Sequence, residues 1–571
     1  MKPTQRMRFN HFIILFLLIS FGANAQKLKP RMMKNYWDFN YSALRSQGYY
    51  YADDFNGETT LEHGEWRYWD RQGNLEEIRN YKKGVLHGKV ILFYANGKKK
   101  EAGFFKEGIQ DSVSTRWYEN GNVEVAGTYK MGVPIGKWFY FYENGYHMME
   151  EEVLDSVNYV LNFWKMDSTQ TLKDGNGRTF KYFEHGFLEE FFTYKDGLRD
   201  GDFEEYTVRG RPFVHGQYKG GKKDGDWKYW YYTGGVDRIV SYQNDKLEGD
   251  YKKYYDNGKL NIKGQFSNGM KQGEWNWFTK VGTKDMQGEF VNDKQDGFWK
   301  YWFAGDSVTV SSQGYFKEGL RDGKWQFYYK DGSKWKEGEY KNDLEEGVWK
   351  TWFENGKLLK EGSFVAGEED GNWKQYYNNG QLKNEGNFQN GKLHGEWASY
   401  YKKGKLHLTG TYENDLKVGE WARYSQKGRL LEKGPYKIVN YKKHVKYGPF
   451  SKRVLKESVK DGHWVWYSQK DGGKTHEGDY KNGKEEGEWV YYFPGGAKAN
   501  RVVNYKDGRL HGKTLILNWR PNYVTTEINY KDGLKHGKMV IYDKRGNVVA
   551  EKDFEEGVRV MPGGNKAFKA G

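Results

Sequence analysis

The sequence predicts an all-β protein, an elongated, twisted, single-layer antiparallel β-sheet built from about 19 tandem β-hairpin repeats. Three observations predict this fold. A glycine followed two positions later by Trp or another large apolar residue recurs mostly every 24 residues, Asn-Gly and Asp-Gly pairs separate aromatic-rich runs, and glycine is too frequent for long helices. The length of 571 residues would suggest several globular domains, but the repeat replaces them with one array.

Each repeat begins at a glycine, which we count as position zero of that repeat. These repeat glycines are Gly64, Gly88, Gly136, Gly201, Gly225, Gly249, Gly273, Gly297, Gly323, Gly347, Gly371, Gly395, Gly419, Gly462, Gly487, Gly512 and Gly537, and Ser112 and Gly177 fill two degenerate positions. The spacing widens to 41 residues between Gly136 and Gly177 and to 43 between Gly419 and Gly462. Those two places hold insertions.

The repeat that begins at Gly371 shows how two strands arise from 24 residues. Asn-Gly stands at positions 8 and 9 and again at positions 19 and 20, and this dipeptide between aromatic runs predicts a type I′ hairpin turn. A two-residue turn at positions 8 and 9 makes cross-strand partners sum to 17. The Trp at position 2 then faces the Gly at position 15 and shields it, and the aromatic at position 6 faces the aliphatic at position 11.

The same register divides the residues between two faces. Positions 2, 4, 6, 11 and 17 form the apolar Trp face, which we predict to be the core. The opposite face carries mostly Lys, Glu and Thr, together with an aromatic row at position 5. A single repeat buries too little apolar area to offset the entropy of ordering its backbone, so neighbouring repeats must stack to fold.

Composition excludes several classes of protein and of site. The chain has no Cys, which rules out disulfides, thiolate metal sites and a cysteine nucleophile. Five histidines precede a repeat glycine and are expected to be turn residues, spaced too widely to share a metal ion: His63, His87, His394, His511 and His536. Two Gly-Lys-Thr triplets, at Gly473 and Gly512, lack the first glycine of a phosphate-binding loop. We expect no catalytic, metal or cofactor site, and therefore no enzyme.

The N-terminus has the features of a secretory signal peptide. Lys2, Arg6 and Arg8 precede an apolar run over residues 12–19, and Ala-Asn-Ala at residues 23–25 fits a cleavage site. The alternative, a membrane anchor, would need a longer apolar run. We expect an exported protein that is periplasmic, outer-membrane-associated or extracellular, and whose net charge falls from +15 to +12 once residues 1–25 are removed.

The pattern divides the chain into consecutive segments. They are the signal peptide (1–25), an N-terminal cap or linker (26–56), repeats (57–142), an acidic insertion (143–176), repeats (177–432), a basic insertion (433–460), repeats (461–557) and a C-terminal tail (558–571).

Two segments carry a family resemblance. Residues 337–342 followed by Gly347, and residues 477–483 followed by Gly487, resemble the MORN repeat (membrane occupation and recognition nexus). The resemblance is to the bacterial variant, which has Trp and Tyr-Tyr after the second glycine as in residues 487–492, and it covers nearly all of the chain after residue 25. It implies an elongated antiparallel sheet used for scaffolding, dimerisation or protein contact, with a variable association with phospholipid.

The basic insertion is the first candidate binding site. It holds nine basic residues and one acid in 28 residues, a net charge of +8, with aromatic residues between them. Such a segment can engage lipid headgroups, an acidic glycan or an acidic protein. The candidate residues are Lys437, Lys442, Lys443, Lys446, Lys452, Arg453 and Lys456. The alternative is a solvated, extended hairpin whose lysines serve solubility.

Two other features are candidates for contact. The acidic insertion has a net charge of −5, and its apolar stretch over residues 153–164 resembles a short helix that could dock a partner or cover its own sheet. The position-5 row, which includes Tyr376, Tyr400, Tyr424 and Tyr467, could stack on sugar rings or receive a partner. The alternative is that sheet coiling and long Lys side chains cover this row.

These observations favour a non-catalytic repeat scaffold that mediates protein–protein interaction at the bacterial cell envelope. The alternative is an envelope lipid- or glycan-binding protein that acts through the basic insertion and the aromatic rows. We expect envelope proteins as partners, with anionic lipid, glycan and a homo-oligomer as further options. Export argues against nucleic acid as a physiological ligand.

Overall fold

The computed structural model describes residues 29–52, 60–306, 308–444 and 452–561. The chain divides into two compact units, an N-terminal unit (1–234 and 241–246) and a C-terminal unit (235–240 and 247–571). All regular elements in the described ranges are strands, and none of these residues forms a helix that could span a membrane. The predicted signal peptide lies outside the described residues.

The N-terminal unit contains eighteen complete strands. They are β1 (Arg31–Tyr36), β2 (Leu44–Ala52), β3 (Thr60–Trp69), β4 (Leu75–Lys82), β5 (Val85–Leu86), β6 (Gly88–Phe93), β7 (Lys99–Lys106), β8 (Ile109–Trp117), β9 (Val123–Lys130), β10 (Val133–Phe141), β11 (His147–Leu154), β12 (Val157–Trp164), β13 (Gln170–Lys173), β14 (Asn176–Tyr182), β15 (Leu188–Lys195), β16 (Leu198–Tyr206), β17 (Pro212–Lys219) and β18 (Lys222–Trp230). Strand β19 (Val236–Gln243) has residues in each unit.

The C-terminal unit contains the remaining strands, except that Lys246, the first residue of β20, belongs to the N-terminal unit. They are β20 (Lys246–Tyr254), β21 (Leu260–Ser267), β22 (Met270–Phe278), β23 (Lys284–Val291), β24 (Lys294–Trp302), β25 (Val310–Lys317), β26 (Leu320–Tyr328), β27 (Lys334–Lys341), β28 (Leu344–Trp352), β29 (Leu358–Val365), β30 (Glu368–Tyr376), β31 (Leu382–Gln389), β32 (Lys392–Tyr400), β33 (Leu406–Glu413), β34 (Leu416–Tyr424), β35 (Leu430–His444), β36 (Lys452–Lys460), β37 (Gly462–Tyr467), β38 (Lys474–Lys481), β39 (Lys484–Tyr492), β40 (Ala499–Lys506), β41 (Arg509–Leu517), β42 (Val524–Lys531), β43 (Leu534–Tyr542), β44 (Val548–Glu555) and β45 (Val558–Val560).

Within each unit the strands form an antiparallel sheet in which nearly all strands pair with their neighbours in sequence. The exceptions are β4, which pairs with both β5 and β6, and β35, which pairs with both β36 and β37. In the repeat of Gly371, β30 pairs with β31 and β31 pairs with β32, and the same order recurs along both units. Because the described connections within the regular repeats are short hairpins, each of these repeats contributes two strands. The prediction of an all-β antiparallel sheet made of tandem hairpins is confirmed.

The two hairpin turns of a repeat differ, although both contain Asn-Gly. At positions 19 and 20, Asn390 and Gly391 both have positive φ (49° and 73°), as a type I′ turn requires, and this prediction is confirmed. At positions 8 and 9 only Gly380 has positive φ (90°), and its amide donates to the carbonyl of Tyr377 at 2.8 Å. The type I′ turn predicted there is wrong, because a longer loop with one left-handed glycine closes this hairpin.

The longer loop also changes the register beside it. Trp373 at position 2 pairs with Gly386 at position 15, as predicted. The register then shifts, so that Tyr376 at position 5 pairs with Leu382 at position 11. The predicted pairing of position 6 with position 11 is therefore wrong, since one additional residue in the second strand forms a β-bulge next to the loop.

A tryptophan from the following repeat covers the glycine at position 15. Gly338 pairs with Trp325 across the hairpin, but the ring above its Cα belongs to Trp349, and a Cβ on Gly338 would lie 2.1 Å from Cδ2 of that ring. The indole Nε1 of Trp349 donates to the carbonyl of Glu339 at 3.1 Å. The expectation that the cross-strand Trp shields the glycine is therefore wrong, because Trp349 joins its own repeat to the preceding one instead.

The same interlock recurs along both units. Tryptophans that likewise cover the glycine of the preceding repeat and donate to the carbonyl of the residue after that glycine include Trp227, Trp275, Trp299, Trp325, Trp373, Trp421, Trp464 and Trp489. The backbone can approach the ring this closely only because the covered residue has no Cβ.

The core is a row of these indoles. On the same face of the sheet, other aromatic rings and cationic side chains pack against them. Tyr340 at position 17 meets the ring of Trp349 edge to face, with centroids 5.0 Å apart. Cationic side chains at position −2 lie over such rings, as Arg321 does over Tyr340 (3.9 Å) and Lys417 over Trp421 (4.3 Å). Burial lowers the pKa of Lys417. A sheet with one apolar face therefore buries these interlocking tryptophans almost completely.

The acidic insertion is also a strand pair and not a helix. Residues 147–154 and 157–164 form β11 and β12, which pair through a tight turn in which Asp155 and Ser156 both have positive φ. Val160, Phe163 and Leu172 are buried together in a local core. The helix expected over residues 153–164 is wrong, because the neighbouring strand supplies backbone partners that an isolated apolar segment lacks.

Candidate functional site

The basic insertion interrupts the regular alternation of turns. In other repeats a tight turn follows position 18, but here β35 and β36 continue as nine antiparallel pairs, from Tyr436 with Lys460 to His444 with Lys452. We call residues 436–460 the basic hairpin. Eight residues beyond Tyr436 advance about 26 Å at about 3.3 Å per residue. The segment is therefore an extended hairpin that projects from the edge of the sheet on which the tight turns lie.

The candidate basic residues occupy different places on this hairpin. Lys437 and Lys456 are both exposed, and Lys437 also contacts the sheet, with Nζ 3.4 Å from Asp461 Oδ2 and 3.2 Å from Asn482 Oδ1. Backbone pairs join Lys442 to Val454, Lys443 to Arg453 and His444 to Lys452. Lys446 lies outside the described residues. The structure thus brings five of the seven candidates onto one strand pair beyond Lys437.

Lys460 stabilises the base of the basic hairpin. Its Nζ lies 4.0 Å from the ring centroid of Trp464 and 4.7 Å from that of Trp466. Burial lowers its pKa, and the nearby Glu432 carboxylate acts in the opposite direction. This lysine is part of the aromatic core, so it is unsuited to contact an external anion.

A stacked row of side chains crosses the sheet at the base of the basic hairpin, and the sequence analysis missed it. Arg423 Nε donates to Glu432 Oε1 at 2.7 Å, and Trp466 Nε1 donates to Glu432 Oε2 at 2.8 Å. His476 stacks between Trp466 and Tyr491, with centroid distances of 4.3 and 5.5 Å. Cross-strand register could have found this row, because Trp466, His476 and Tyr491 are direct backbone partners.

His476 is expected to make stability depend on pH. Burial lowers its pKa and the nearby Lys460 lowers it further, so the unfolded chain takes up this proton first as pH falls. The stability contribution is complete above the unfolded pKa of about 6.5 and is lost as pH drops below it. Urea unfolding midpoints measured at about pH 8 and about pH 5 check this dependence.

A phenylalanine at this position separates the effect of His476 from that of other groups. His476→Phe keeps the ring stack but cannot be protonated, so the difference between the two midpoints should shrink. His536→Gln, at another repeat, is the control and should leave the difference unchanged. An unchanged difference in His476→Phe would assign the pH dependence elsewhere.

The aromatic row at position 5 is tied to glutamates of the preceding repeat. Tyr376 donates to Glu361 Oε1 and Tyr400 to Glu385 Oε1, each at 2.8 Å, and Tyr492 makes the same bond to Glu477. Burial, reinforced by the carboxylates, raises the pKa of Tyr376 and of Tyr400 to about 12. All four candidate tyrosines, including Tyr424 and Tyr467, are partly buried. Contact through this row stays a prediction, limited to the ring surface that the sheet leaves open.

Four of the five histidines that precede repeat glycines lie on strands and not in turns, and the fifth, His87, lies between β5 and β6. His63, His394, His511 and His536 belong to β3, β32, β41 and β43. These histidines stand immediately before the bulge at the repeat glycine. Other repeats carry an acid or an amide at this position, and its side-chain oxygen accepts a hydrogen bond from a backbone N–H of the next tight turn. Glu346, for example, accepts from the N–H of Ala366 at 2.9 Å. The described residues contain no cluster of three or more acidic or histidine side chains that could hold a metal ion.

Comparison with known protein families assigns part of the chain to a repeat whose bounds coincide with the hairpins. Eight segments match the MORN repeat variant. They are residues 62–83, 86–107, 110–131, 247–268, 321–342, 345–366, 369–390 and 393–414. Each matched segment runs from two residues before a repeat position zero to the first residue of the tight turn. One MORN repeat variant is therefore one strand–loop–strand hairpin of this sheet.

The chain was also compared with curated protein sequences and with solved structures. No curated protein sequence matches the chain. Among solved structures, the chain is similar to one in the crystal structure of TcdB2-TccC3-Cdc42 (9% identity, TM-score 0.12, covering 93% of this chain and 32% of that one). It is also similar to one in the structure of TcdB2-TccC3-TEV (10% identity, TM-score 0.12, 91% and 31%). The chain thus spans about a third of the chains it matches.

Proposed function

We propose that this protein is a non-catalytic scaffold of MORN-type hairpins that binds a protein partner at the bacterial cell envelope. The observation that carries the proposal is the basic hairpin, a paired arm of about 26 Å on an otherwise regular array. In repeat proteins the stacked repeats supply rigidity, and insertions on one face supply the binding surface. The basic hairpin is therefore the contact arm, and the acidic surface of a partner is its complement.

Rigidity supports the scaffold function. Trp349 and the other interlocking tryptophans each join two repeats by covering a glycine and donating to a carbonyl of the preceding repeat. At the longer loops, Tyr377 donates to the carbonyl of Tyr400 at 2.8 Å and Asn379 donates to that of Lys402 at 3.0 Å. A surface fixed in this way loses little conformational entropy when it binds a partner.

The cell-envelope location rests on the N-terminal sequence. The basic start, the apolar run over residues 12–19 and the small residues at 23–25 are typical of an exported protein. A chain without cysteine folds without disulfide formation outside the cytoplasm. Detection of the chain in the envelope fraction, with residues 1–25 removed, tests this part of the proposal.

Charge reversal on the basic hairpin is expected to abolish partner binding. The combined variant Lys442→Glu, Lys443→Glu, Lys452→Glu and Arg453→Glu replaces four cations by four anions. It should weaken binding by at least about 100-fold, because the long-range electrostatic steering and the direct charge contacts with an acidic partner both become repulsive. The measurement is cross-linking and quantitative mass spectrometry of tagged protein in envelope extract. The outcome that contradicts the proposal is equal recovery of the partner with wild type and variant.

A matched control carries the same change of charge at the regular repeats. Lys246, Lys294, Lys392 and Lys484 are exposed at the same repeat position, and their reversal to Glu leaves the basic hairpin unchanged. This control should retain the partner at high salt. Equal loss with both variants would show that only the net charge matters.

The alternative function is binding of anionic lipid or glycan through the basic hairpin and the aromatic rows. The excess of basic residues in this segment and the exposure of Lys456 favour it. Such binding depends on screened charges and should be lost at about 1 M salt, where the Debye length is about 3 Å. Sedimentation with phosphatidylglycerol vesicles, compared with phosphatidylcholine vesicles, distinguishes it from a protein partner that stays bound at that salt concentration.

A further inference from the structure

A row of alternating indole and phenol rings crosses the C-terminal unit from Trp397 to Tyr505. Each ring meets the next edge to face, with interplanar angles between 73° and 89° and centroid distances between 5.0 and 6.5 Å. We call these eight residues the Trp–Tyr row: Trp397, Tyr412, Trp421, Tyr436, Trp464, Tyr480, Trp489 and Tyr505. Consecutive indoles are two strands apart, which is about 9.6 Å at about 4.8 Å per strand. The row is therefore an unbroken path of ring contacts through four indoles.

Packing of the indoles does not require a tyrosine between them. In the repeats before this row, position 17 is mostly phenylalanine, and its ring packs edge to face on the next Trp in the same way. Examples are Phe290, Phe316 and Phe364. A phenol gives up an electron far more readily than a benzene ring does, and an indole also does so. Every ring of the Trp–Tyr row can therefore be oxidised, which is a property that the hairpin fold does not demand.

Trp466 lies beside the Trp–Tyr row and has a different hydrogen-bond partner. Its ring centroid is 5.8 Å from that of Trp464 and 5.6 Å from that of Trp489. Its Nε1 donates to the carboxylate of Glu432, whereas the Nε1 atoms of Trp421, Trp464 and Trp489 donate to backbone carbonyls. A carboxylate stabilises positive charge on an indole more than a neutral carbonyl does. Trp466 is therefore easier to oxidise than the indoles of the row.

Cations near two indoles of the row increase this difference. Lys417 Nζ lies 4.3 Å from the ring centroid of Trp421, and Lys460 Nζ lies 4.0 Å from that of Trp464. A positive charge at this distance opposes the formation of another positive charge on the ring. Lys460 is farther from Trp466, at 4.7 Å, and the carboxylate bound to the indole Nε1 offsets its charge there. An electron deficiency on the row is therefore most stable when it reaches Trp466.

Glu432 is ionised at neutral pH and can accept the indole proton. Burial raises its pKa, but the hydrogen bonds from Arg423 and Trp466 and the charges of Arg423 and Lys460 outweigh burial, so the pKa lies below its ordinary value. An indole that has lost one electron is a much stronger acid at Nε1 than a neutral indole. The 2.8 Å hydrogen bond from Trp466 Nε1 to Glu432 Oε2 therefore gives this proton a direct route to the carboxylate.

We propose that this protein is a one-electron redox relay in which the Trp–Tyr row carries oxidising equivalents to Trp466. A diffusible one-electron oxidant, such as the carbonate radical anion, takes one electron from an indole of the row and becomes carbonate. Electrons then shift from ring to ring until Trp466 is the ring that lacks one. Trp466 passes its Nε1 proton to Glu432, which leaves a neutral indolyl radical and a carboxylic acid. A diffusible reductant such as ascorbate returns one electron, Glu432 returns the proton, and the original side chains are restored. The relay needs no partner protein, so it does not depend on the proposed scaffold function.

Peptide mapping by mass spectrometry tests the end point of the relay. The purified full chain is exposed to photochemically generated carbonate radicals without ascorbate, and oxidised Trp466 should exceed oxidised Trp335, although Trp335 is 44% exposed and lies off the row. The ratio of these two products does not depend on the dose. Glu432→Gln keeps a hydrogen-bond acceptor but removes its charge, and should lower the ratio about 5- to 10-fold. Glu385→Gln, which removes the carboxylate bound to Tyr400, is the control and should leave the ratio unchanged. A ratio that Glu432→Gln does not change overturns Glu432 as the proton acceptor.

A tethered oxidant tests the route along the Trp–Tyr row. Because the chain has no Cys, Lys402→Cys attaches a ruthenium–bipyridine photo-oxidant at a single exposed site, in the repeat where the row begins. Illumination should then oxidise Trp466, and adding Tyr436→Phe, which interrupts the row, should lower that yield about tenfold. Tyr530→Phe makes the same change at position 17 of a repeat beyond the row, and this control should leave the yield unchanged. More product at Trp335 than at Trp466 in the wild-type chain overturns the proposal, and so does a yield at Trp466 that Tyr436→Phe leaves unchanged.

Discussion

Replacing Trp349 with Ala is expected to lower the local free energy of unfolding by about 3–5 kcal/mol. The ring is 2% exposed, meets Tyr340 edge to face, and donates from Nε1 to the carbonyl of Glu339. Alanine removes all three interactions and leaves a cavity over Gly338 that the flat sheet backbone cannot fill. Because the lost contacts join two repeats, the array should weaken between the repeats of Gly323 and Gly347.

Hydrogen exchange measures this effect better than a single unfolding midpoint. Repeat arrays do not unfold as one two-state system, so the free energy is read from amides in β26 to β29. The opening free energy measured at these amides should fall by the full loss of about 3–5 kcal/mol. Amides several repeats away should keep nearly the same protection. Trp335→Ala is the control: this Trp is 44% exposed in the same hairpin and should cost at most about 1 kcal/mol. Equal losses in both variants would contradict the interlock as the main source of stability.

The sequence was sufficient to predict the hairpin array because each signal was local. The Gly-x-Trp spacing predicted the repeat period, and the alternation of apolar and polar residues predicted the Trp face. Asn390-Gly391 predicted the tight turn, because Asn and Gly tolerate its two positive φ angles. The same dipeptide at Asn379-Gly380 formed a longer loop. The Asn-Gly dipeptide alone does not distinguish a tight turn from a longer loop. The register shift at the bulge beside Tyr376 determines which of the two closes the hairpin.

Contacts between repeats were harder to predict. Register placed Trp325 opposite Gly338 correctly, yet Trp349 covers that glycine. The reason is the repeat glycine itself, because Gly347 has φ of 64° and bulges the strand just before Trp349, which redirects the side chain toward the preceding repeat. A pairing rule based on regular strands has no means to anticipate this change of direction.

The candidate sites were predictable only as far as their composition. The charge of the basic insertion marked it as exceptional, and the structure gives it the form of a paired arm. The sequence did not separate Lys460, which lies over the Trp464 ring, from the exposed Lys437 and Lys456. The stacking of His476 on Trp466 also escaped prediction, because the two residues meet across strands and not along one.

Replacing Gly338 with Ala is expected to cost about 3 kcal/mol, although it adds only one methyl group. That methyl carbon would lie 2.1 Å from Cδ2 and 2.3 Å from Cε2 of Trp349, so the ring must leave its site. The backbone of Gly338 does not have positive φ, and alanine fits its strand conformation. The cost therefore comes from the displaced indole and not from the new residue's own backbone.

A double-mutant cycle with Trp349→Ala isolates this cause. With the indole absent, Gly338→Ala should cost less than about 1 kcal/mol, so the two changes should be strongly non-additive. The control is Gly356→Ala in the loop of the next repeat, where φ is 77° and no atom lies within 4 Å of an added Cβ. Its cost of about 1–2 kcal/mol comes from the left-handed backbone and should be the same with or without Trp349. If the cost of Gly338→Ala likewise persists without Trp349, the glycine is required for a reason other than the ring above it, and the interlock does not explain why position 15 is a glycine.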